Sequence, residues 1–138
     1  MEKVFISKNS DDTKEIGSKV AALLKEPRVV LLSGDLGAGK TVFAKGFVNY
    51  FIKSADVVSP TFAIVNSYND LIYHFDLYRL ESENELYAIG AEEYFYSGAY
   101  VLVEWPERVD LSIFPANSVN VKIEKIDDTA RRIVVTNL

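Results

Sequence analysis

The segment from Gly34 to Thr41, GDLGAGKT, follows the pattern G-x-x-x-x-G-K-[ST] in full. Before it, the aliphatic and β-branched run Val29 to Leu32 predicts a strand that is buried on both faces. After it, phenylalanines recur at every fourth position and predict an amphipathic helix that begins near Lys40. A strand, a glycine-rich turn and a helix in this order indicate an anion-binding loop. A flexible glycine turn before a helix is the alternative explanation of the same residues.

The chemistry of these residue types favours a nucleotide phosphate as the anion. Glycines allow successive backbone N–H groups to point inward, and the helix adds the positive end of its dipole. Lys40 supplies a full charge toward the β and γ phosphates, and the Thr41 hydroxyl suits Mg²⁺, which prefers oxygen ligands. We therefore expect nucleotide binding by Asp35, Leu36, Gly37, Ala38, Gly39, Lys40, Thr41 and the adjacent Val42.

The length of 138 residues suits a single domain, here residues 1–138, that can bury a core without disulfides. A net charge of −5 argues against strong direct binding of nucleic acid, because that affinity comes largely from neutralising phosphates. No stretch approaches the roughly 20 apolar residues that span a bilayer, and the N-terminus lacks the apolar stretch of a signal peptide. The expected location is cytoplasmic.

Strand-like and helix-like segments alternate early in the chain, and strand-like segments pair locally later, which predicts an α/β fold with a mixed β-sheet flanked by helices. Asn69-Asp70 and Asp127-Asp128 each separate two strand-like runs and predict hairpins. Ser10 or Asp11 is expected to cap the first helix. Ser82 with Glu85 resembles a capping box for a later short helix.

Two acidic residues follow apolar runs, Asp76 after residues 71–75 and Glu104 after residues 101–103. Because the carboxyl ends of parallel strands open onto the ligand crevice, either acid could reach a bound metal or its water. Each could equally be a solvated acid at a strand end. Ser59-Pro60-Thr61-Phe62 is placed where a switch loop could respond to a γ phosphate, or it is an ordinary Ser-Pro turn.

Other residues carry weaker signals. His74, the single histidine, lies in an apolar run and is interpreted as a packed, hydrogen-bonded strand residue rather than a general base. Trp105, the single tryptophan, could with Pro106 form an exposed functional element after Glu104, but a position in the core or at its rim is the favoured interpretation. The chain lacks the N-K-x-D signature with which many GTPases read guanine, which favours ATP over GTP.

The order of several blocks resembles the TsaE (YjeE) family, and the resemblance covers nearly the whole chain. The phosphate loop alone does not identify this family; the blocks H-x-D-x-Y-R, at His74 to Arg79, and E-W-P-E, at Glu104 to Glu107, carry the likeness. The other matching blocks are Thr13 with Ile16-Gly17, Ser59-Pro60-Thr61-Phe62, and Glu85-Leu86 with Ile89-Gly90.

The resemblance implies a Mg²⁺-dependent ATPase that binds ATP or ADP and hydrolyses ATP slowly unless assembled with TsaB and TsaD. In that family the complex attaches a threonylcarbamoyl group to adenosine 37 of tRNA, so tRNA is reached only through the complex. By matching position, Thr41 and Glu104 take roles linked to magnesium. Thr61 is the switch residue, Asp76 lies in or beside the site, and Lys40 completes the catalytic set.

The resemblance also brings the segment Ser10 to Thr13, and one of Arg131 or Arg132, toward the nucleoside or phosphates; of these, Ser10 and Arg132 are the candidates for nucleotide binding. Arg79 is a candidate for a charge repositioned in the complex. Two positions depart from the family: Val42 replaces a frequent second threonine, and Ala130 replaces a frequent glycine. A small-molecule kinase and a nucleotide-sensing module without hydrolysis are the competing interpretations.

Overall fold

A computed structural model describes residues 2–60 and 64–138. Thr61, the expected switch residue, lies outside the described residues. Within the described ranges the elements are, in chain order, β1 (Glu2–Ser7), α1 (Ser10–Leu23), β2 (Val29–Ser33), α2 (Lys40–Phe51), β3 (Val65–Tyr68), β4 (Ile72–Asp76), α3 (Glu83–Ala88), α4 (Ala91–Phe95), β5 (Tyr100–Glu104), β6 (Val119–Lys125) and β7 (Arg131–Thr136). None of the helices in these ranges has the length and apolarity required to cross a membrane.

The strands form one sheet in the order β1-β7-β6-β2-β5-β4-β3. Its central part is parallel, since β2 pairs in parallel with both β5 and β6, and β4 pairs in parallel with β5. Its two edges are antiparallel, through β3 with β4 and through β1, β7 and β6. The predicted α/β fold with a mixed sheet flanked by helices is therefore confirmed. Three neighbouring parallel strands, β2, β5 and β4, end at the same edge.

Apolar side chains cover both faces of the sheet, as the continuous aliphatic strands predict. One core cluster joins α1 and α2 to the sheet and includes Val20, Phe43 and Phe47. The other lies on the opposite face, where Leu86 and Phe95 of α3 and α4 pack against the sheet. Because the central strands are packed on both faces, their positions in the sheet are fixed. The positions of the residues at their ends are fixed with them.

The close packing of α1 on α2 depends on two glycines. A Cβ at Gly46 would lie 1.7 Å from the backbone oxygen of Lys14, and one at Gly17 would lie 2.2 Å from that of Phe43. Both distances are far below contact distance, so the two helices approach as they do because no side chain stands between them. This contact anchors α2, whose first residues belong to the phosphate loop.

Both predicted hairpins are present. At the β3–β4 turn Asn69 and Asp70 each have a φ of 54°, positive as in a type I′ turn, and the Leu71 N–H donates to the Tyr68 carbonyl at 3.1 Å. At the β6–β7 turn the Asp127 carboxylate accepts hydrogen bonds from the backbone N–H groups of Thr129 at 2.9 Å and Ala130 at 2.7 Å.

Two expected helix caps are wrong in detail. The cap of α1 is Asn9, whose side chain accepts from the Asp12 N–H at 2.8 Å, so Ser10 is already the first helical residue. Ser82 does stand before α3 but makes no side-chain cap bond. Glu85 accepts from the backbone N–H of Glu81 at 3.1 Å, one residue earlier than a capping box requires. The approximate start of a helix can be predicted from sequence, but which residue is the N-cap depends on the backbone angles of the cap.

Candidate functional site

The phosphate loop joins the end of β2 to the start of α2, as the sequence predicts. Gly37 and Gly39 have φ values of 75° and 109°, which are strained for residues with a Cβ and ordinary for glycine. The loop closes on itself through a hydrogen bond from the Ala38 N–H to the Asp35 carbonyl at 3.0 Å. Gly39 precedes the helix without a side-chain cap, so the first N–H groups of α2 face the loop interior.

Lys40, the first residue of α2, is buried although it is charged, with only 5% of the residue exposed. Its ammonium donates to the carbonyl oxygens of Gly34 and, at 3.0 Å, of Asp35. Burial lowers the pKa of Lys40, and the negative charges of Glu104, Glu107, Asp76 and Asp35 oppose that effect. The ammonium thus lies folded against its own loop, with acids around it that keep it charged.

Glu104 lies directly beside the start of α2. The Thr41 Oγ1 atom is 3.4 Å from each of the two Glu104 carboxylate oxygens. Glu104 is 3% exposed although it is an acid, and its Oε2 atom lies 2.6 Å from Nε2 of the fully buried His74. Thr41, Glu104 and His74 therefore form a connected polar group that runs from the half-buried Thr41 to the fully buried His74.

Asp76 lies at the end of β4, opposite Glu104 in the strand register. One carboxylate oxygen accepts from the Ser59 hydroxyl at 2.8 Å, and the other accepts from the Tyr78 N–H at 3.0 Å. Asp76 consequently fixes residue 59, two positions before Thr61, to the same sheet edge that carries Glu104.

Trp105 lies in the site, although the sequence favoured a core or rim position for it over a functional element. Its φ of 60° turns the chain sharply after β5 and brings the Lys40 Nζ atom to 4.1 Å from its ring centroid. Tyr78 packs on the other part of the ring at 4.8 Å between centroids, and the Arg108 guanidinium lies 4.9 Å from the Tyr78 ring. The available signal was the Trp-Pro pair directly after a strand-end acid, which marks a turn rather than a core position.

These residues line a cleft of about 990 Å³. The cleft runs from the phosphate loop, past Asp76 and Glu104, to Arg79, Glu85 and Ile89. Pockets for small ligands have volumes of roughly 300–1,000 Å³, so the cleft can hold a nucleotide with space to spare.

A second hollow, of about 420 Å³, lies on the other side of the loop and is lined by Ser10, Val42 and Arg131 among others. Arg131, rather than Arg132, contacts the loop: its Nε donates to the Ala38 carbonyl at 2.8 Å and its Nη2 to the Gly37 carbonyl at 3.3 Å. Arg132 pairs instead with Glu124 at 3.1 Å, where both side chains are nearly half exposed. The structure thus brings Ser10 and Val42 to the loop and does not bring Arg132 there.

The oxygen atoms beside the loop suit a magnesium ion. Two ligands in an octahedral magnesium shell, each about 2.1 Å from the metal, lie about 3 Å apart. The 3.4 Å between Thr41 Oγ1 and the Glu104 oxygens is close to that spacing. Among residues 2–60 and 64–138 there is no cluster of three acidic, histidine or cysteine side chains that could hold a metal. The donor set therefore fits a magnesium ion that takes further ligands from phosphates and water.

A parallel sheet that delivers a glycine-rich loop, a lysine and a hydroxyl to a helix start, with a buried acid on the neighbouring strand, defines a P-loop nucleotide-binding protein. Similarity to known proteins identifies a particular family within this class. The sequence model of the threonylcarbamoyl adenosine biosynthesis protein TsaE matches residues 7–133. The chain belongs to the TsaE family.

Individual relatives agree with that assignment. The tRNA threonylcarbamoyladenosine biosynthesis protein TsaE of Bacillus subtilis is 40% identical over 93% of this chain and 81% of its own length. The protein of the same description from Rickettsia felis is 37% identical over 97% of this chain and 80% of its own length. The crystal structure of Bacillus subtilis YdiB superposes with a TM-score of 0.76 at 32% identity, over 98% of this chain and 84% of that one.

Proposed function

We propose that this chain is the ATP-binding and ATP-hydrolysing subunit of tRNA threonylcarbamoyladenosine (t6A) biosynthesis, acting on homologues of TsaB and TsaD as a partner-dependent switch. The observation that carries the proposal is the contact between Thr41 at the end of the phosphate loop and Glu104 at the end of β5. This contact places the proposed metal-binding carboxylate directly beside the phosphate loop. The names of the TsaE relatives support the pathway.

Lys40 is the residue that changes partners when nucleotide binds. Its present acceptors are neutral carbonyls of the loop, whereas the β and γ phosphates carry full charges at the same position. Charge-assisted hydrogen bonds are roughly twice as strong as neutral ones, so the phosphates compete well for the ammonium. Because Trp105 lies 4.1 Å from Lys40, the movement changes the surroundings of the indole ring.

Thr41 and Glu104 are the residues that would hold Mg²⁺, and a magnesium ion bound there would supply positive charge to offset that of the β and γ phosphates. The nucleoside extends toward the hollow beside Ser10, Val42 and Arg131, on the far side of the loop from Glu104. Arg131 supports this side by holding the carbonyls of Gly37 and Ala38 outward, which leaves the loop N–H groups free for phosphate oxygens.

Asp76 connects the proposed switch residues to the sheet. Its carboxylate holds Ser59, and Thr61 follows two residues later, so a change at the γ phosphate is passed from residues 59–61 to the strand edge beside Asp76. Such a change alters the surface offered to partner proteins. The net charge of −5 suits a subunit that meets basic partners and approaches tRNA only within the complex, in the cytoplasm.

Phosphate release from Mg-ATP tests the proposal, measured for the chain alone and with TsaB and TsaD homologues. We expect slow release alone and a marked increase with both partners. The intrinsic fluorescence of Trp105, the single tryptophan, reports nucleotide binding independently. Binding without any stimulation would contradict the switch and leave a nucleotide-sensing module.

A small-molecule kinase is the second candidate function. The observation in its favour is the length of the cleft. The cleft continues beyond the loop to Arg79 and Ile89, where an acceptor could lie beside the γ phosphate. Incubation with labelled ATP and candidate acceptors separates the two functions. Transfer of label to an acceptor supports the kinase, and release as inorganic phosphate supports the ATPase.

A further inference from the structure

His74 is a buried polar residue to which the proposed mechanism assigns no task. It lies in the middle of β4, fully buried, two residues before Asp76. In the parallel register of β4 and β5 its direct neighbour is Leu102, yet its side chain reaches diagonally to Glu104. The distance of 2.6 Å between Nε2 and Oε2 is that of a strong, charge-assisted hydrogen bond.

The other ring nitrogen identifies the donor. Among the described residues, Nδ1 of His74 has no hydrogen-bond partner. A proton on Nδ1 would be a buried, unsatisfied donor, which is costly, whereas a proton on Nε2 is satisfied by the Glu104 carboxylate. The ring therefore donates from Nε2 to Oε2, and Nδ1 carries no proton.

The bond restricts a side chain that is otherwise free to turn. Glutamate has three rotatable side-chain bonds, and the contacts of Glu104 with Thr41 are long, at 3.4 Å each. The bond to His74 is the shorter one and comes from a strand in the sheet interior, where it cannot move independently. Metal-ligating carboxylates depend on such hydrogen bonds for their orientation, and losing one typically costs about 10- to 100-fold in metal affinity or activity.

We infer that His74 is a positioning residue for Glu104: its Nε2–H fixes the carboxylate toward Thr41 and thereby sets the affinity for Mg²⁺ in the nucleotide complex. The inference rests on the proposed function, since it assigns the magnesium role to Glu104. It predicts that changes at His74 act on the metal and leave the phosphate loop intact.

Two substitutions separate the hydrogen bond from the packing. His74→Leu fills the buried position without a donor, and His74→Gln places an amide N–H close to the position of Nε2. Ile72→Val is the matched control, because Ile72 is buried two residues earlier on the same strand and face and, as an aliphatic side chain, takes no part in the hydrogen bonds of the polar group. Thermal unfolding of each variant confirms that the fold is retained.

Trp105 fluorescence measures ADP affinity without metal, in the presence of a chelator, and then across a Mg²⁺ titration. We expect His74→Leu to raise the Mg²⁺ concentration at the midpoint about 10- to 100-fold while ADP affinity without metal stays at the wild-type value. His74→Gln should recover the midpoint to within a few-fold, and Ile72→Val should not shift it.

A wild-type magnesium midpoint in His74→Leu overturns the inference, as does a His74→Gln variant as impaired as His74→Leu. Equal loss of ADP affinity without metal in both variants also overturns it, because the effect would then lie in the fold. The wild-type protein distinguishes this from failure of the proposed function: if it binds no Mg-nucleotide at all, the function and the inference fall together.

Discussion

The two sides of the phosphate loop are built differently. On the side of β4 and β5 the polar residues are buried and bonded to one another, as in the group of Thr41, Glu104 and His74. On the side of the β6–β7 hairpin they are exposed or half exposed, and Asp127 and Arg131 bond mainly to backbone groups. Buried polar bonds are costly to break and exposed ones are not, so function should be sensitive on the first side and tolerant on the second.

Lys40→Ala should have the largest effect. The substitution removes the charge that meets the β and γ phosphates, and we expect hydrolysis to fall on the order of 100- to 1,000-fold. Phosphate release with the partners present measures it. Lys45→Ala, on the exposed surface of the same helix, is the matched control and should behave as wild type. Turnover at the wild-type rate in Lys40→Ala would refute the phosphate assignment.

Glu104→Ala should be next. Removal of the carboxylate beside Thr41 should lower hydrolysis about 10- to 100-fold, with a much smaller effect on ADP binding without metal. Phosphate release and Trp105 fluorescence give the two quantities. If neither changes, Asp76 becomes the better acidic candidate, and Asp76→Asn should then show the defect.

Arg131→Ala and Arg132→Ala are neighbours in sequence and should differ in effect. Arg131 holds the Gly37 and Ala38 carbonyls, and its loss should weaken nucleotide affinity about tenfold. Arg132 makes an exposed ion pair with Glu124, and such pairs contribute about 0–1 kcal/mol, so little change is expected. Titration of ADP against each variant measures the difference. Equal effects would show that the hairpin side acts only through its total charge.

Asp127→Asn should have the smallest effect, and one that depends on pH. Hydrogen bonds from the backbone of Ala130 and Thr129 lower the pKa of Asp127. A carboxyl with a lowered pKa in the folded state contributes stability above its unfolded pKa and loses it as the pH falls through its folded pKa. Asp127→Asn should therefore unfold slightly more easily than wild type at neutral pH, with a difference that begins to shrink as the pH falls below about 4 and is lost as it falls further, through the lowered folded pKa.

Thermal unfolding at neutral and acidic pH compares the two proteins. A difference of the same size at pH 3 and pH 7 would mean that the charge of Asp127 is not its source.

The sequence anticipated whatever depends on local backbone chemistry. The glycines of the phosphate loop and the Asn69-Asp70 turn require backbone angles that few other residues adopt, and both are found where predicted. It failed at the start of α1, where Asn9 rather than Ser10 or Asp11 is the cap, because several suitable residues stand in a row. For Trp105 the less favoured of two interpretations was correct, because a tryptophan suits a core position and a site position equally well.

Arg132 was the arginine of the pair named for nucleotide binding, although the sequence held a signal in favour of Arg131. Successive residues of a strand point to opposite faces, so Arg131 shares a face with the buried Ile133 and Val135, toward α1 and α2. The phosphate loop begins α2 on that face. Alternation thus favours Arg131, once the position of α2 relative to the sheet is known.

The residue types and their spacing were enough to predict the anion-binding loop, the strand before it, the helix after it and the acidic residues at two strand ends. The contact of Glu104 with Thr41 and the bond of His74 to Glu104 could not be predicted in this way, because these residues come from α2, β4 and β5. Their distances depend on the lateral order and register of three strands, which are set by packing on both faces of the sheet. A motif specifies which groups are present, and the sheet specifies which of them touch.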